Sequence, residues 1–260
     1  FSIFMRFVHK SYEYFSYNQN YLNKKFQRFR FIYDLPFYDK VTINILNKIK
    51  FIPFKKNFIL SALNLAFLGY YFKGDIPYNK NIIHWPDGLF AKTIFDRIAK
   101  IPGRLLLEKM IFPNDIKRII VLGNLSKYNF NYLKNKFKIE IKHFDLPYGS
   151  FDEIKIKLNF IFEKNDIIFL TLPTPKQEQI AIELSKTNNH YKIICIGASI
   201  SIASGQEKSV PKFFESFEFL WRLRTEPIRR TKRLFISIYY FLKGKYIQKK
   251  LDFLNIYSID

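Results

Sequence analysis

The run Asp166-Ile-Ile-Phe-Leu-Thr-Leu-Pro173 decides the fold class, because it is short, rich in β-branched residues and apolar almost throughout. Two further runs share this design, Lys117-Arg-Ile-Ile-Val-Leu-Gly-Asn124 and Lys192-Ile-Ile-Cys-Ile-Gly-Ala-Ser199. Such continuous apolar character is typical of strands that are buried on both faces of a parallel sheet. A weaker, alternating run, Phe137-Lys-Ile-Glu-Ile-Lys-His-Phe144, indicates a fourth strand.

Segments of helical length separate the predicted strands, at about 126–136, 150–164 and 175–188. Strands that alternate with helices at this spacing predict an α/β fold, in which a Rossmann-like parallel sheet is flanked by helices. Ligands bind such sheets beyond the carboxyl ends of the strands. We therefore expect a binding site among Gly123-Asn124, the loop 171–179 and the turn 197–199. The first of these lacks the further glycines of a dinucleotide fingerprint, which disfavours NAD.

The region 51–116 contributes a second candidate site. Phe58–Tyr71 is predicted to be a helix, and Asp87-Gly88 lies between a short apolar strand and another predicted helix, Leu89–Ile98. A carboxylate at the end of a strand suits a general base, whereas Asp-Gly is also a common turn pair. Ser199 has two interpretations as well. Its position near a helix start suits a phosphate, or it belongs to a packing turn.

Charge is the feature in which the composition departs from an ordinary globular protein. The chain of 260 residues has 43 Lys and Arg against 22 Asp and Glu, a net charge of +21. Such a charge favours anionic partners, namely nucleic acid, an acidic membrane surface or phosphorylated substrates. One cysteine excludes an internal disulfide and a cysteine-based zinc site, and the four histidines show no paired ligand spacing. We therefore expect neither a metal nor another cofactor.

The surplus charge divides the chain into three predicted parts. These are a basic aromatic N-terminal extension (1–30), an α/β core (31–220) and a basic membrane-proximal appendage (221–260). In the appendage, the apolar run 234–242 has cationic flanks, which is typical either of a membrane-surface helix or of a core helix with solvated basic ends. The longest uncharged apolar stretch, 57–72, is short of the ~20 residues of a membrane span, and no signal-peptide pattern is evident. We expect a cytoplasmic protein, peripheral on the inner face of the membrane.

Several motifs together resemble one known family. Leu172-Pro-Thr-Pro-Lys-Gln-Glu178 follows a strand, Ile196-Gly-Ala-Ser199 follows the next, and Phe219-Leu-Trp-Arg-Leu-Arg-Thr-Glu-Pro-Ile-Arg-Arg230 comes last. In this order and spacing they resemble the WecG/TagA/CpsF glycosyltransferases (glycosyltransferase family 26). Upstream, Asn64, Asp87-Gly88 and the segment 101–104 are similar to further motifs of that family. The resemblance covers roughly residues 34–235.

This resemblance implies an inverting, metal-independent transfer of a sugar in cell-surface polysaccharide synthesis. The sugar, N-acetylmannosamine or a related hexose, passes from a UDP-sugar to a polyprenyl-diphosphate-linked acceptor. Asp87 takes the place of the catalytic base. The other residues that the resemblance places at the substrates are Asn64, Arg104, Gln177, Gly197, Ser199, Arg222, Arg224, Arg229, Arg230 and Arg233. The arginines either neutralise the departing diphosphate or form a solvated or lipid-phosphate-binding face.

The sequence departs from the family at one position near Asn64, and it leaves other functions open. The family has a threonine two residues before Asn64, where this chain has Ala62, and the neighbouring Ser61 substitutes for it only if the backbone shifts. An inactive relative is one alternative, and a basic nucleic-acid-binding protein is another. No sequence signature of a nucleic-acid-binding fold is present, so we expect no nucleic-acid partner. The sugar, the acceptor glycan, the role of residues 1–30 and a homo-oligomer are left undetermined.

Overall fold

A computed structural model describes residues 42–46, 48–88, 100–147, 149–207, 227–244 and 255–259, which all lie within one compact unit of the chain, Asp39–Asp260. Its strands are β1 Thr42–Leu46, β2 Phe58–Leu63, β3 Ile82–Pro86, β4 Arg118–Leu122, β5 Glu140–Phe144, β6 Asp166–Leu170, β7 Lys192–Cys195 and β8 Asn255–Ile259. Its α-helices are α1 Leu65–Lys73, α2 Gly103–Lys109, α3 Lys127–Phe137, α4 Phe151–Lys155, α5 Lys176–Thr187, α6 Ser199–Ala203 and α7 Pro227–Leu242. A short 3₁₀ helix spans Ile49–Phe51.

The eight strands form one sheet in the order β5-β4-β6-β7-β2-β3-β1-β8. Every hydrogen-bonded pair in it is parallel. Apolar clusters cover both faces of the sheet, one around Ile59, Phe67 and Ile180 and the other around Leu60, Trp85 and Ile194. The predicted α/β fold with a Rossmann-like parallel sheet is therefore confirmed.

Burial explains which sequence patterns became strands. All residues of β2, β3, β6 and β7 are buried, as continuous apolar runs require in the middle of a parallel sheet. β5 lies at an edge and alternates between exposed and partly buried residues, which matches its weaker, alternating pattern. The predicted helices at 126–136 and 175–188 correspond to α3 and α5.

Two predicted helices are wrong in extent. The segment Phe58–Tyr71 begins as strand β2 and becomes helical only at Leu65. An apolar run of this length fits a buried strand and a buried helix equally well, and the Asn64 side chain, which caps α1, marks the boundary. The segment 150–164 forms only the short helix α4, which a capping box of Ser150 and Glu153 opens. The predicted helix Leu89–Ile98 lies outside the described residues.

Helix α7 packs across α1 at a point where neither helix carries a large side chain. A Cβ added at Gly69 would lie 2.4 Å from Ser237 Cα, so the two backbones are in close contact. Phe72 and Phe241 pack together beside this crossing, with ring centroids 6.3 Å apart. None of the helices in the described ranges is both long and apolar enough to cross a membrane.

Candidate active site at the carboxyl edge of the sheet

Strands β7, β2 and β3 are neighbours in the sheet, so the residues that follow them emerge side by side. Gly197 comes after β7, Asn64 directly follows β2, and Asp87 directly follows β3. Adjacent strands lie about 4.8 Å apart, so β7 and β3 are separated by about 10 Å. The topology therefore brings these three predicted site residues to one edge of the sheet.

Asp87 is held by backbone contacts on both sides. Its N–H donates to Leu63 O at 3.1 Å, and the N–H of Ile101 donates to Pro86 O at 2.7 Å. The next residue, Gly88, has φ +78°, a left-handed conformation that favours glycine. The Asp87 side chain is partly exposed at this turn. The residues that follow Gly88, 89–99, lie outside the described part of the chain.

Asn64 ends β2 and begins α1. Its Oδ1 accepts the N–H of Phe67 at 3.0 Å, which caps the helix and fixes the side chain. A Cβ added at Gly88 would lie 3.9 Å from Asn64 Cβ, so the two turns are neighbours. Since Oδ1 is used by the cap, Nδ2 is the atom through which Asn64 would donate to a substrate.

Ser199 and the start of α2 are in close contact. A Cβ added at Gly103 would lie 2.1 Å from Ser199 Oγ, so only glycine fits at position 103 while that rotamer is kept. The N–H of Ser199 donates to Ile196 O at 3.2 Å and closes the turn. Arg104, in the first turn of α2, is half-buried next to this contact. These are the contacts of a packing turn, and the ligand roles of Ser199 and Arg104 stay predictions.

Gln177, in the first turn of α5, is only 4% exposed. Its Nε2 donates to Thr174 Oγ1 at 3.1 Å and to Glu178 Oε1 at 2.9 Å. Its Oε1 has no hydrogen-bond partner among the described residues and lies 3.6 Å from the position of a Cβ added at Gly197. Gly197 itself has φ +53° and donates its N–H to Leu170 O at 3.0 Å. Gln177 and Gly197 thus meet at the ends of β6 and β7.

Glu178 is a buried residue to which the sequence assigned no role. Its side chain is 0% exposed, and Oε1 accepts hydrogen bonds from Ser61 Oγ at 2.9 Å and from Thr174 Oγ1 at 3.1 Å. Burial raises its pKa, against the opposing effect of these hydrogen bonds. A signal was available, since a glutamate on the buried side of a helix requires polar partners.

The contact with Glu178 also fixes what Ser61 does. Ser61 is buried on the face of β2 that packs against α5, whereas Ala62 belongs to the apolar cluster on the opposite face. The hydroxyl of Ser61 therefore does not take the place of the threonine that the family has at position 62. Its role is to donate to Glu178.

A row of buried side chains crosses β7, β2 and β3 behind this network. Cys195 pairs in register with Ser61, and Ser61 pairs with His84. Burial raises the pKa of the Cys195 thiol well above its ordinary value, as expected for a structural thiol. Burial lowers the pKa of His84 to about 3, so its ring is neutral. His84 lines a cavity of about 20 Å³, with room for about one water molecule, and Asp87 is not among its lining residues.

Residues 126–253, just under half of the chain, match the model of the family described as glycosyl transferase WecG/TagA/CpsF. This part of the chain is similar to the WecG/TagA/CpsF glycosyltransferases, which indicates a glycosyltransferase. A similar protein is the UDP-Gal:alpha-D-GlcNAc-diphosphoundecaprenol beta-1,4-galactosyltransferase of Shigella boydii. It is 26% identical over 181 residues, which cover 58% of this chain and 76% of the relative. The resemblance seen in the motifs is thereby confirmed.

The matched region contains Gln177, Gly197 and Ser199, while Asn64, Asp87 and Arg104 precede it. The five predicted arginines also fall inside the match. Arg230 and Arg233 are half-buried on α7, and Arg229 belongs to the same helix. Arg222 and Arg224 lie outside the described residues. Their roles at a substrate stay predictions.

Among the described residues, no group of three or more His, Cys, Asp and Glu side chains is placed to hold a metal ion. The two acidic residues near the carboxyl edge, Asp87 and Glu178, have different surroundings. Asp87 is partly exposed, whereas Glu178 is enclosed by hydroxyl and amide donors. The two carboxyl groups therefore differ in their access to solvent and in their hydrogen-bond donors.

Proposed function

We propose that this glycosyltransferase moves a hexose or N-acetylhexosamine from a UDP-sugar to a polyprenyl-diphosphate-linked acceptor, with inversion and without a metal. The observation that carries the proposal is the convergence of Asn64, Asp87 and Gly197 at the ends of adjacent strands. Substrates of parallel α/β sheets bind at this edge. The match of residues 126–253 to a glycosyltransferase family supports the reaction class.

Asp87 acts in this scheme as the general base. Its carboxylate takes the proton of an acceptor hydroxyl while that oxygen attacks the anomeric carbon of the sugar. The bond between the anomeric carbon and the UDP oxygen breaks, and UDP leaves with the electron pair. Attack from the side opposite to UDP inverts the anomeric configuration. The partly exposed position of Asp87 suits this task, because an acceptor has to reach it from solvent.

The departing diphosphate requires positive charge and hydrogen-bond donors. Arg104 lies in the first turn of α2, next to the contact of Gly103 with Ser199, and Arg230 and Arg233 lie on α7. Guanidinium groups hold phosphate oxygens in a bidentate manner and remain charged at working pH. Preorganised donors of this kind typically contribute ~3–4 kcal/mol each to the stability of a transition state.

The donor and acceptor classes follow from the relative. Its name gives a UDP-sugar as donor and a sugar diphosphoundecaprenol as acceptor. We extend these two classes to the present chain, with N-acetylmannosamine or a related hexose as the sugar. Ala62, where the family has threonine, leaves the choice of sugar to experiment.

A lipid-linked acceptor places the enzyme at a membrane, and α7 has a face that suits one. Ile228, Phe235 and Tyr239 are 84%, 65% and 60% exposed, and they lie on one side of the helix together with exposed Lys232. An apolar face with cationic neighbours binds an anionic lipid surface. We propose that this face rests on the inner surface of the cell membrane.

The function is tested by measuring UDP release from a panel of UDP-hexoses and UDP-N-acetylhexosamines with a polyprenyl-diphosphate-linked sugar. We expect one donor to be consumed rapidly, with a glycosylated lipid as product. Reactions without the acceptor serve as the control for hydrolysis. Release of UDP at the control rate with every donor and acceptor in the panel would contradict the proposal.

A further inference from the structure

The amide group of Gln177 is held in one orientation by its neighbours. Both protons of Nε2 are used, one by Thr174 Oγ1 at 3.1 Å and the other by Glu178 Oε1 at 2.9 Å. Thr174 Oγ1 donates its own proton to Glu178 Oε1, so it can only accept from Gln177. The nitrogen of the amide therefore faces the protein interior, and Oε1 faces the other way.

Glu178 is the central acceptor of this hydrogen-bond network. Three donors, on Ser61, Thr174 and Gln177, converge on its Oε1. Because Oε1 is fully used as an acceptor, a proton on the carboxyl group lies on Oε2, which has no partner among the described residues. Burial raises the pKa of Glu178, which favours this neutral form. Ser61 belongs to β2, so the network anchors the first turn of α5 to the centre of the sheet.

The Oε1 atom of Gln177, which has no hydrogen-bond partner among the described residues, lies at the carboxyl edge of the sheet. It is 3.6 Å from the position of a Cβ at Gly197, and Leu172 O is 3.8 Å from the same position. Ala198, the next residue, is exposed, and Gly197 is half-buried. Oε1 itself is closed to solvent in this structure, so a contact with a ligand requires the turn 197–198 to move outward as the ligand binds. A buried acceptor without a donor gains a hydrogen bond when such a ligand arrives.

We propose that Glu178 is a positioning residue, which holds the Gln177 amide so that only its oxygen is presented to the substrate beside Gly197. The inference rests on the proposed function, and it specifies the chemistry of the contact. The substrate must offer an N–H or O–H group at this point, such as a sugar hydroxyl, an acetamido N–H or the uracil N–H. A substrate group that only accepts hydrogen bonds is rejected there, because it would face a second acceptor.

A double-mutant cycle tests whether Glu178 acts through Gln177. Glu178→Leu should lower kcat/KM for the UDP-sugar by about 10- to 100-fold, the effect expected when one buried polar group is left without its hydrogen bond. In the Gln177→Ala background, the same substitution should cost less than about threefold, because its target is gone. Glu178→Gln keeps a neutral acceptor and should retain activity within about threefold. Equal losses from Glu178→Leu in both backgrounds would overturn the proposal.

A second measurement does not depend on turnover. In ¹⁵N-labelled full-length protein, the side-chain NH₂ of Gln177, assigned by its loss in Gln177→Glu, should be protected from exchange with water. Protection should persist in Glu178→Gln and disappear in Glu178→Leu. Unchanged protection in Glu178→Leu refutes the positioning role, even if no UDP-sugar is turned over and the proposed function fails.

Two variants control for effects on folding. Glu183→Gln changes a glutamate on the same helix that pairs with Lys155 and Lys186 at the surface, and it should leave both readouts as in the wild type. If Glu178→Leu does not fold, Thr174→Val removes one of the two acceptors of the Gln177 amide within a smaller change of shape. This variant should weaken the protection of the Gln177 NH₂ from exchange and lower kcat/KM for the donor. If the Thr174→Val protein folds and this protection is unchanged, the proposal is also refuted.

Discussion

His84 shows how a single buried side chain links the fold to pH. It is buried in β3, its ring centroid lies 4.4 Å from that of Phe67, and burial lowers its pKa to about 3. In the unfolded chain a histidine has a pKa of about 6.5. Between these two values the unfolded state binds a proton that the folded state does not. Stability therefore falls as the pH drops below about 6.5.

We predict that His84→Leu removes this acid sensitivity. From pH 7 to pH 5, the free energy of unfolding of the wild type should fall by about 2 kcal/mol more than that of the variant, since each pH unit corresponds to about 1.4 kcal/mol. Urea unfolding at both pH values measures the difference. His190→Leu, at an exposed position, is the matched control and should follow the wild type. Parallel losses in wild type and His84→Leu would show that His84 is protonated in the folded protein.

The site residues were predictable to the extent that motifs carry them. Asn64, Asp87 and Gly197 each directly follow or closely follow a strand, and a parallel sheet places such residues at one edge. The need of Glu178 for polar partners could be inferred from its place on a helix, but its partner Ser61 could not, because it is 117 residues away in the chain. The same contact explains why Ser61 cannot replace a hydroxyl at position 62.

The crossing of α1 and α7 joins the C-terminal helix to the core. Gly69 allows it, because a Cβ at this position would lie 2.4 Å from Ser237 Cα and 2.6 Å from Ser237 O. Both contacts are to backbone atoms, so a change of rotamer cannot relieve them. The helices would have to separate by about an ångström or more before another residue could fit.

We predict that Gly69→Ala destabilises the protein by about 1–3 kcal/mol, despite the higher helix propensity of alanine. Thermal unfolding measures the loss, and hydrogen exchange should increase most in 227–242. Lys232→Ala, at an exposed position of α7, is the control and should change stability by less than about 0.5 kcal/mol. A Gly69→Ala protein as stable as the wild type would show that the two helices do not pack in this way.

Strand β2 illustrates why elements are harder to predict than the fold class. Its sequence, Phe58-Ile-Leu-Ser-Ala-Leu63, continues into an apolar helix with one polar residue, Asn64, between them. Periodicity gives no boundary in such a run, and only the capping preference of asparagine does. By contrast, the predicted strands around β4, β6 and β7 are bounded by turns and charged residues, and all three are confirmed.

The whole molecule combines a net charge of +21 with an exposed apolar face on α7. Charge attracts it to any polyanion, but the apolar face distinguishes a lipid surface from nucleic acid. The proposed membrane contact therefore needs both contributions. Salt should weaken the electrostatic part and leave the apolar part.

We predict that vesicles of phosphatidylglycerol and phosphatidylcholine sediment the protein, and that vesicles of phosphatidylcholine alone sediment much less of it. The double variant Phe235→Ser/Tyr239→Ser should lower capture by the anionic vesicles by about tenfold, because two exposed apolar side chains lose their burial in lipid. Tyr128→Ser, an exposed aromatic residue on α3, is the matched control. Equal capture of the wild type and the double variant would contradict the proposed face, and displacement by low concentrations of nucleic acid would favour the nucleic-acid alternative.

For the whole molecule, the sequence predicted a parallel sheet but not all of its strands. β1 and β8 extend it beyond β3, although neither was predicted. β1 consists of five residues that include Thr42 and Asn44, and β8 lies in a segment expected to be an appendage. β8 is an edge strand, and β1 lies between it and β3. Short strands that include polar residues show little hydrophobic periodicity, so they resemble loops in a single sequence.

The most direct test of the account is the turnover number of Asp87→Asn at saturating UDP-sugar and lipid-linked acceptor. The substitution keeps the shape of the side chain and removes its ability to take a proton, so kcat should fall by about 10²- to 10⁴-fold. The thermal midpoint and the KM for the donor should stay close to those of the wild type. Asp75→Asn, which removes a carboxylate paired with Lys73, is the control and should retain full activity. An Asp87→Asn enzyme with the kcat of the wild type would contradict the assignment of the base and the site built around it.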